Sequence, residues 1–174
     1  MSTFIQRPQQ GEFPAYYTNY IALVPEGDLL QFLEIQGKEI MATLENIETE
    51  KENFRYAEGK WTTKELIGHL IDTERIMAFR ALVFSRGEAQ SIPGFNENDY
   101  VKAGGFAGRS LASLIAEFKS LRTSNIDLMA SFSSDQLAQI GNANGLTVTV
   151  AALCYIIAGH AAHHINILTD RYLA

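Results

Sequence analysis

The chain has 174 residues, enough for one domain with a hydrophobic core and too few for two comfortable ones. With 47% hydrophobic and 20% charged residues and only 4 prolines, its composition is that of a folded globular protein, which argues against disorder. The 14 basic and 20 acidic residues give a net charge of −6, and no basic cluster is present to follow a phosphate backbone, so we expect no nucleic-acid partner.

The sequence also bears on where the protein resides. Met1–Phe13 lacks the continuous apolar segment of a signal peptide. The longest apolar run, Val148–Ala158, is shorter than the roughly 20 residues that span a bilayer, so we expect no membrane partner. Cys154 is the only cysteine, which excludes an intrachain disulfide and fits a reducing, cytoplasmic compartment.

The first 28 residues predict an irregular arm. Pro8, Pro14 and Pro25 interrupt this segment, and its tyrosines follow no clear period. We expect the arm to cover 1–28 and a single domain to cover 29–174.

Helical spacing of apolar residues dominates the rest of the chain. Asp28 is a predicted N-cap, Thr62 and Glu65 form a capping box, and Trp61 is placed to pack on Leu66. No segment predicts a convincing strand. The predicted helices span about 29–48, 62–84, 110–132 and 147–172. Four such helices predict an all-α fold, a four-helix bundle with a long connection between helices two and three.

That connection, Gly87–Arg109, is rich in glycine and turn formers. Connections of this length inside a compact domain tend to be lids or binding loops. Asn96, Asp99 and Tyr100 are therefore candidate substrate contacts, with ordinary turn chemistry as the alternative.

Three of the four histidines, His160, His163 and His164, lie within five residues of a stretch without charged side chains, Leu146–Thr169. Residues four apart share one face of a helix, so His160 and His164 can direct two imidazoles at a single point. His69 lies on the core face of the second predicted helix. Two rigid elements could thus supply three neutral nitrogen ligands to one metal ion.

Spacing alone leaves the ligand set open, because His160 and His163 are also close enough on a helix to share an ion. The alternative is that these histidines are hydrogen-bonded core residues, the commoner role of a single histidine on an apolar face. Three protein ligands would leave a position for water or substrate, as in catalytic sites. Imidazoles suit Zn, Ni, Fe or Cu about equally, so the ligand type does not identify the ion.

Several short groups of residues resemble the motifs of a known family. They are Trp61 with Lys64-Glu65, Gly68-His69-Leu70 with Asp72 and Glu74, Pro93-Gly94-Phe95, Leu121-Arg122, and Gly159-His160 with His163-His164. In this order they resemble the DinB and YfiT-like family of four-helix metalloproteins, from about residue 29 onward. The resemblance implies a divalent metal held by His69, His160 and His164, with His163 as a neighbour.

Two positions depart from the family pattern. Many relatives carry an acidic residue just after the first histidine of the last helix and a glutamine three residues after the final one. This chain has Ala161 and Ile167 there. The ligands are intact, but the groups that tune them differ. Family members are described as thiol-dependent S-transferases and isomerases or as hydrolases, so the resemblance implies one of these activities.

The residues between the histidines help to rank the two reactions. A metal hydrolase normally keeps a carboxylate near the metal as general base, and the interval after His160 holds only alanines before His163. A hydrolase would need Asp72, Glu97 or Asp99 to supply that base. Thiol transfer needs less, because the metal itself can stabilise a thiolate. We therefore rank transfer of a low-molecular-weight thiol ahead of hydrolysis.

Further candidates come from charged residues on the second helix. Arg80 follows His69 by eleven residues, almost on the same face and about 16 Å along the axis, where it could hold a carboxylate of an extended thiol cofactor. A structural ion pair is the alternative. Asp72 or Glu74 could orient a ligand histidine through its free N–H, and Asp72 is the better candidate.

The sequence thus predicts a metal-dependent enzyme with an open three-histidine site for Zn, Ni or Fe, acting on a small molecule in detoxification or stress response. Asp72 and Asp99 are the candidate catalytic residues, and Arg80 and Tyr100 the candidate cofactor-binding residues. The alternatives are a hydrolase, or a bundle that binds a metal or small ligand without turnover. An exposed apolar helix face could also form a homodimer.

Overall fold

Four long helices form the frame of the computed structural model, which describes residues 4–174. The elements in chain order are α1 Thr18–Ala22, α2 Leu29–Glu45, α3 Thr63–Ser85, α4 Glu97–Gly104, α5 Leu111–Ala130, α6 Ser134–Leu137, β1 Ile140–Ala143, β2 Leu146–Thr149 and α7 Val150–Ile167, with a π-helical continuation, Leu168–Leu173. Helix α3 packs against α7 and α5, and α2 packs against α5. The predicted four-helix bundle is confirmed.

The start of each long helix is fixed by a side chain that accepts hydrogen bonds from unpaired amides of the first turn. Asp28 accepts from the amides of Leu30 and Gln31, and Ser110 accepts from the amide of Ser113. The helix ends differ by a few residues from the prediction, because α2 ends at Glu45 and α5 at Ala130.

The expectation that the chain contains no strand was wrong. Strands β1 and β2 form an antiparallel hairpin in which Ala143 pairs with Leu146 around the turn Asn144-Gly145. Both turn residues have positive φ, 55° and 78°, as the tightest hairpin turns require. The β-branched residues of 147–149 suit a strand, so α7 begins at Val150 with Thr149 as its cap rather than at Thr147.

The connection predicted between helices two and three is partly helical. Asn96 caps α4 by accepting from the amides of Asn98 and Asp99, and Gly105 ends it in the left-handed conformation. Helix α4 packs against α3. Phe106 is buried against Gly68, where a Cβ would overlap the phenyl ring. The connection is therefore held against the bundle at the level of His69.

The predicted arm, 1–28, is more regular than expected, since it contains a 3-10 turn and helix α1; its residues 1–3 lie outside the described part of the chain. Helix α1 packs against α7. Their approach is close because Gly159 has no side chain, and a Cβ there would overlap the carbonyl oxygen of Tyr20. The arm thus covers α7 beside His160.

Two clusters of buried apolar side chains fill the bundle. Along α3 the clusters change between Ile71 and Met77, and along α7 they change between Ala158 and Ala161. Several buried polar side chains lie at or near these junctions: Gln36, Thr73, Glu74, Arg122, Asn125 and His160. Buried polar groups need hydrogen-bond partners or a functional reason, so a functional site is expected at this level of the bundle.

Helix α7 with its continuation, Val150–Leu173, is long and apolar enough to span a membrane by length and composition alone. In the fold, 67% of its most apolar 18-residue segment is buried inside the structure. Its hydrophobic character is accounted for by packing in the centre of the bundle.

Candidate metal centre

Helices α3 and α7 carry the three histidines that meet in the core. The predicted capping box is present at the start of α3: Thr62 Oγ1 accepts from the Glu65 amide at 3.2 Å, and the Glu65 carboxylate accepts from the Thr62 amide at 2.7 Å. His69 follows about two turns later. His160 and His164 lie one turn apart on α7, on the side that packs against α3.

The three side chains converge through the same ring atom. The Nε2 atom of His69 lies 3.0 Å from Nε2 of His160 and 3.2 Å from Nε2 of His164. Nitrogen ligands about 2.0–2.1 Å from one ion lie about 2.9–3.4 Å from each other, depending on the coordination angle. The spacing of the imidazoles therefore matches that of ligands around a single metal ion.

Hydrogen bonding among the rings does not account for this arrangement. His69 Nε2 can share at most one proton with the two nitrogens that face it, so lone pairs are left directed at each other. His164 Nδ1 is buried without a hydrogen-bond partner in the described part of the chain. A bound cation would stabilise the facing lone pairs, and the donor set thus fits a divalent ion.

The protonation state also suits ligation. Burial lowers the pKa of His69 to about 4 and that of His164 to about 3, and burial together with the neighbouring histidines holds the pKa of His160 well below its usual range. At neutral pH all three rings are uncharged. Neutral imidazole is the form that binds a metal.

His163 packs beside His164, with ring centroids 5.0 Å apart, but does not belong to the group of converging ring nitrogens. Its half-buried ring packs on Tyr20, with centroids 5.1 Å apart, while the Tyr20 ring also meets His160 edge-on at 5.5 Å. The three-residue group that can hold a metal consists of His69, His160 and His164. Of the two spacings that periodicity left open, the 160–164 pair is the one whose ring nitrogens come together with that of His69.

Trp61 has a second role besides the predicted helix staple. Its ring packs with the apolar cluster that contains Leu66 and also lies on the ring of His69, with centroids 4.6 Å apart. It therefore forms part of the wall around the histidines.

The histidine group opens onto a cavity of about 500 Å³ between α3, α7, the arm and the connection before α4. Its lining residues are Tyr16, Tyr17, Tyr20, Trp61, His69, Thr73, Met77, Arg80, Gly94, Phe95, Glu97, Asn144, His160 and His164. A cavity of this size is in the range that holds small molecules. Five of the fourteen lining residues are tyrosine, tryptophan or phenylalanine, and Arg80 and Glu97 are the charged members.

Arg80 lies in this wall. None of the ion pairs of the described residues includes it, so it does not form the structural ion pair that was the alternative to a binding role. Its guanidinium donates to the carbonyl oxygen of Pro93 at 3.1 Å.

The other predicted site residues lie elsewhere. Asp72 is half-buried on α3, and burial raises the pKa of its carboxyl while Arg75 counteracts this effect. Asp99 is exposed in the first turn of α4. Tyr100 is 48% exposed and packs on Phe95, with ring centroids 5.1 Å apart. Their predicted catalytic and binding roles stay predictions.

Glu74 proved to be part of a buried polar network. Its carboxylate accepts two hydrogen bonds from Arg122, at 2.8 and 2.9 Å, and one from Asn125 at 3.2 Å. Arg122 also donates to Gln36 at 2.9 Å, and Gln36 donates to the carbonyl oxygen of Ala158 at 2.9 Å. This network joins α2, α3, α5 and α7 close to the histidine-bearing segments.

The chain resembles known proteins in both its sequence and its fold. The sequence profile of the DinB superfamily matches residues 33–168, most of the chain. The chain belongs to the DinB superfamily. This confirms the resemblance suggested by the histidine motifs. A comparison with curated proteins finds no match for this DinB-superfamily chain.

Two solved structures are similar to this DinB-superfamily protein. One is YfiT from Bacillus subtilis, described as a probable metal-dependent hydrolase with an unusual four-helix bundle topology: TM-score 0.74 and 15% identity, covering 95% of this chain and 90% of YfiT. The other is a mycothiol-dependent maleylpyruvate isomerase: TM-score 0.66 and 14% identity, covering 87% of this chain and 66% of the isomerase. At these identities the similarity establishes the shared fold.

Sequence reasoning missed the contribution of the arm to the cavity. Tyr16, Tyr17 and Tyr20 line it, and Tyr17 is buried. The available signal was three tyrosines within five residues of a segment that had no helical period of its own. Such aromatic residues need a surface to pack on, and α7 beside Gly159 provides it.

Proposed function

We propose that this protein is a metal-dependent enzyme that transfers a low-molecular-weight thiol to an electrophilic small molecule, in detoxification or stress response. The observation that carries the proposal is the convergence of the Nε2 atoms of His69, His160 and His164 beside a cavity of about 500 Å³. The similar fold of a mycothiol-dependent isomerase supports the choice of a small thiol.

The space around the histidines supports a reaction between two molecules. A second cavity, of about 260 Å³, shares Trp61, Glu97 and His164 with the first. Two reactants could therefore reach the histidine group from different sides. A water molecule as the only nucleophile would not need the second space.

When bound by the three imidazoles, a divalent ion would supply Lewis acidity that lowers the pKa of a thiol or of water. The exposed carboxylate of Glu97 lines both cavities. Its negative charge raises the pKa of His69 and that of Tyr20. The carboxylate is placed to accept the thiol proton as the sulfur forms its bond to the electrophilic carbon. The leaving group then departs, or in an addition the proton returns to the product.

Tyr20 and Trp61 would shape and shield the reacting groups. Burial, together with the charge of Glu97, raises the pKa of Tyr20, so its hydroxyl stays protonated and can donate to negative charge that develops on the electrophile. Trp61 covers His69 on another side. We assign the proton acceptor to Glu97 rather than to Asp72 or Asp99, because Glu97 lines both cavities.

Hydrolysis is the second candidate, and Glu97 is the observation that favours it. The interval between His160 and His164 has no carboxylate, but Glu97 from α4 could accept a proton from water instead. The similarity to YfiT, described as a probable metal-dependent hydrolase, agrees with this alternative.

The two candidates differ in their need for a thiol. Protein loaded separately with zinc, nickel or iron would be assayed with glutathione, cysteine or N-acetylcysteine against 1-chloro-2,4-dinitrobenzene, and with 4-nitrophenyl acetate without thiol. Thiol transfer predicts metal-dependent product only when thiol is present. Hydrolysis predicts ester cleavage without it, with most of the rate lost in Glu97→Gln.

His164→Ala and His163→Ala form a matched pair of variants for this assay. The proposal predicts loss of activity in His164→Ala and retention in His163→Ala, because only His164 belongs to the converging group. A loaded wild-type protein no faster than His164→Ala in every assay would contradict catalysis and leave a binding bundle without turnover.

A further inference from the structure

The wall of the large cavity holds a guanidinium without an anionic partner. Arg80 is only 4% exposed, yet none of the ion pairs of the described residues includes it. It donates to the carbonyl oxygen of Pro93 at 3.1 Å and makes a long contact of 3.7 Å with the sulfur of Met77. Its Nε is buried with no hydrogen-bond partner in residues 4–174.

A buried cation in this state is unfavourable. Burying an unpaired charge is strongly destabilising unless hydrogen bonds and an opposite charge compensate. A carbonyl and a thioether are neutral acceptors, and together they use two of the five N–H groups of a guanidinium. A planar anion beside Arg80 would accept from two of the three remaining donors, as carboxylates do in bidentate pairs with arginine.

The surroundings of Arg80 suit such an anion with an apolar body. The Phe95 ring lies 5.9 Å from the guanidinium carbon, and five of the fourteen residues that line the cavity are tyrosine, tryptophan or phenylalanine. Burial and the neighbouring Tyr16 raise the pKa of Tyr17, whereas the positive charge of Arg80 acts against this shift. Tyr17 therefore stays protonated and, because it lines the same cavity, is a further donor to an anion.

The two charged residues of the cavity wall do not pair with each other. Arg80 and Glu97 both line the cavity, and no ion pair of the described residues joins them. Along α3, Arg80 follows His69 by eleven residues, about 16 Å between the two backbones. The positive subsite is thus offset along α3 from the histidine group.

We propose that Arg80 forms a carboxylate-binding subsite, and that the substrates of this cavity are small carboxylates whose anionic end rests on Arg80 while the reacting end reaches the histidine group. This inference names the substrate class of the proposed function and rests on it for the reaction. The subsite itself depends on Arg80 and the cavity alone. The carboxylate could belong to the thiol or to the electrophile.

Two pairs of probes separate these sources. N-acetylcysteine and its neutral amide represent the thiol, and 3-phenylpropionate and its neutral amide represent the body of an electrophile. Trp61 is the only tryptophan and lines the cavity, so its fluorescence reports binding directly. Titrations would be made on chelator-treated protein and on zinc-loaded protein.

The subsite predicts that at least one carboxylate binds about tenfold more tightly than its amide in chelator-treated wild-type protein. The preference should disappear in Arg80→Gln and persist in part in Arg80→Lys, which keeps the charge. It should be unchanged in Arg75→Gln, a matched control whose half-exposed side chain pairs with Glu117 on the surface. The pair that shows the preference identifies the molecule that carries the carboxylate.

Equal binding of each acid and its amide by wild-type protein would overturn the inference, and so would a preference that survives in folded Arg80→Gln. If Arg80→Gln does not fold, the wild-type comparison and Arg80→Lys still decide. Failure of the proposed function alone would look different, because zinc would then have no effect while the preference for carboxylates remained in chelator-treated protein.

Discussion

The Nε2 atoms of His69 and His160 lie 3.0 Å apart, although 91 positions separate the two residues in the chain. Their distance is set by how α3 and α7 pack, and both helices have capped starts, at Thr62 and Thr149. Changes that move either helix should therefore disturb the metal centre without altering a histidine.

A substitution at Gly159, where the arm packs on α7, tests this dependence. A side chain at this position would overlap the backbone of Tyr20, so Gly159→Ala should push α1 away from α7 and lower the free energy of unfolding by about 1–3 kcal/mol. Gly108→Ala is the control, because its added Cβ meets no atom within 4 Å among the described residues. Urea denaturation of both variants measures the difference, and equal midpoints would contradict the close packing of the arm.

The buried ion pair of Glu74 and Arg122 offers a second test of how the helices pack. Replacing Arg122 with Met leaves the Glu74 carboxylate buried without its main partner, which should destabilise the protein by about 3–5 kcal/mol. The double variant Glu74→Leu/Arg122→Met should recover much of this loss, because no charge is left unpaired. Arg75→Ala, which breaks a more exposed pair with Glu117, should cost at most about 1 kcal/mol.

The helices and the histidine group could be predicted because their signals are local. Capping residues, apolar spacing and the four-residue interval between His160 and His164 all act over one or two helical turns. The position of His69 on the core face of its helix made it a candidate partner, and the resemblance to the family implied the set of His69, His160 and His164. Spacing along α7 alone left His163 as an equal alternative, since only the position of α3 decides which ring faces His69.

The features that were missed depend on contacts between distant segments. The buried network of Glu74 was not predicted, because its partners Arg122 and Asn125 are on another helix. The hairpin turns at Asn144-Gly145, a dipeptide typical of tight hairpin turns, but its strands have only four residues each, too short for a clear alternating pattern. The cavity wall formed by the arm depends on the absence of a side chain at Gly159.

Cys154 should be inert in the folded protein. It is fully buried on α7, and burial raises the pKa of its thiol to about 12, so almost no thiolate forms at pH 8. We expect reaction with 5,5′-dithiobis(2-nitrobenzoate) to be complete in urea and negligible in buffer. Rapid labelling of native protein at pH 8 would contradict the packing of α7.

Metal binding should stabilise the fold, because the three histidines come together only in the folded chain. Zinc at a hundred times its dissociation constant adds about 2.7 kcal/mol, which for a protein of this size raises Tm by roughly 5–10 °C. Differential scanning fluorimetry with zinc and then with a chelator measures this shift. In His164→Ala, Tm should be the same with and without zinc.

The central claim is that His69, His160 and His164 bind one divalent ion, and metal content tests it most directly. Elemental analysis would be made on tag-free wild-type protein and on His164→Ala and His163→Ala after dialysis against zinc, nickel or iron. We expect about one ion per chain in wild type and His163→Ala and almost none in His164→Ala. A wild-type protein without metal, or a His164→Ala variant with full occupancy, would contradict the assignment and leave the three histidines as core residues.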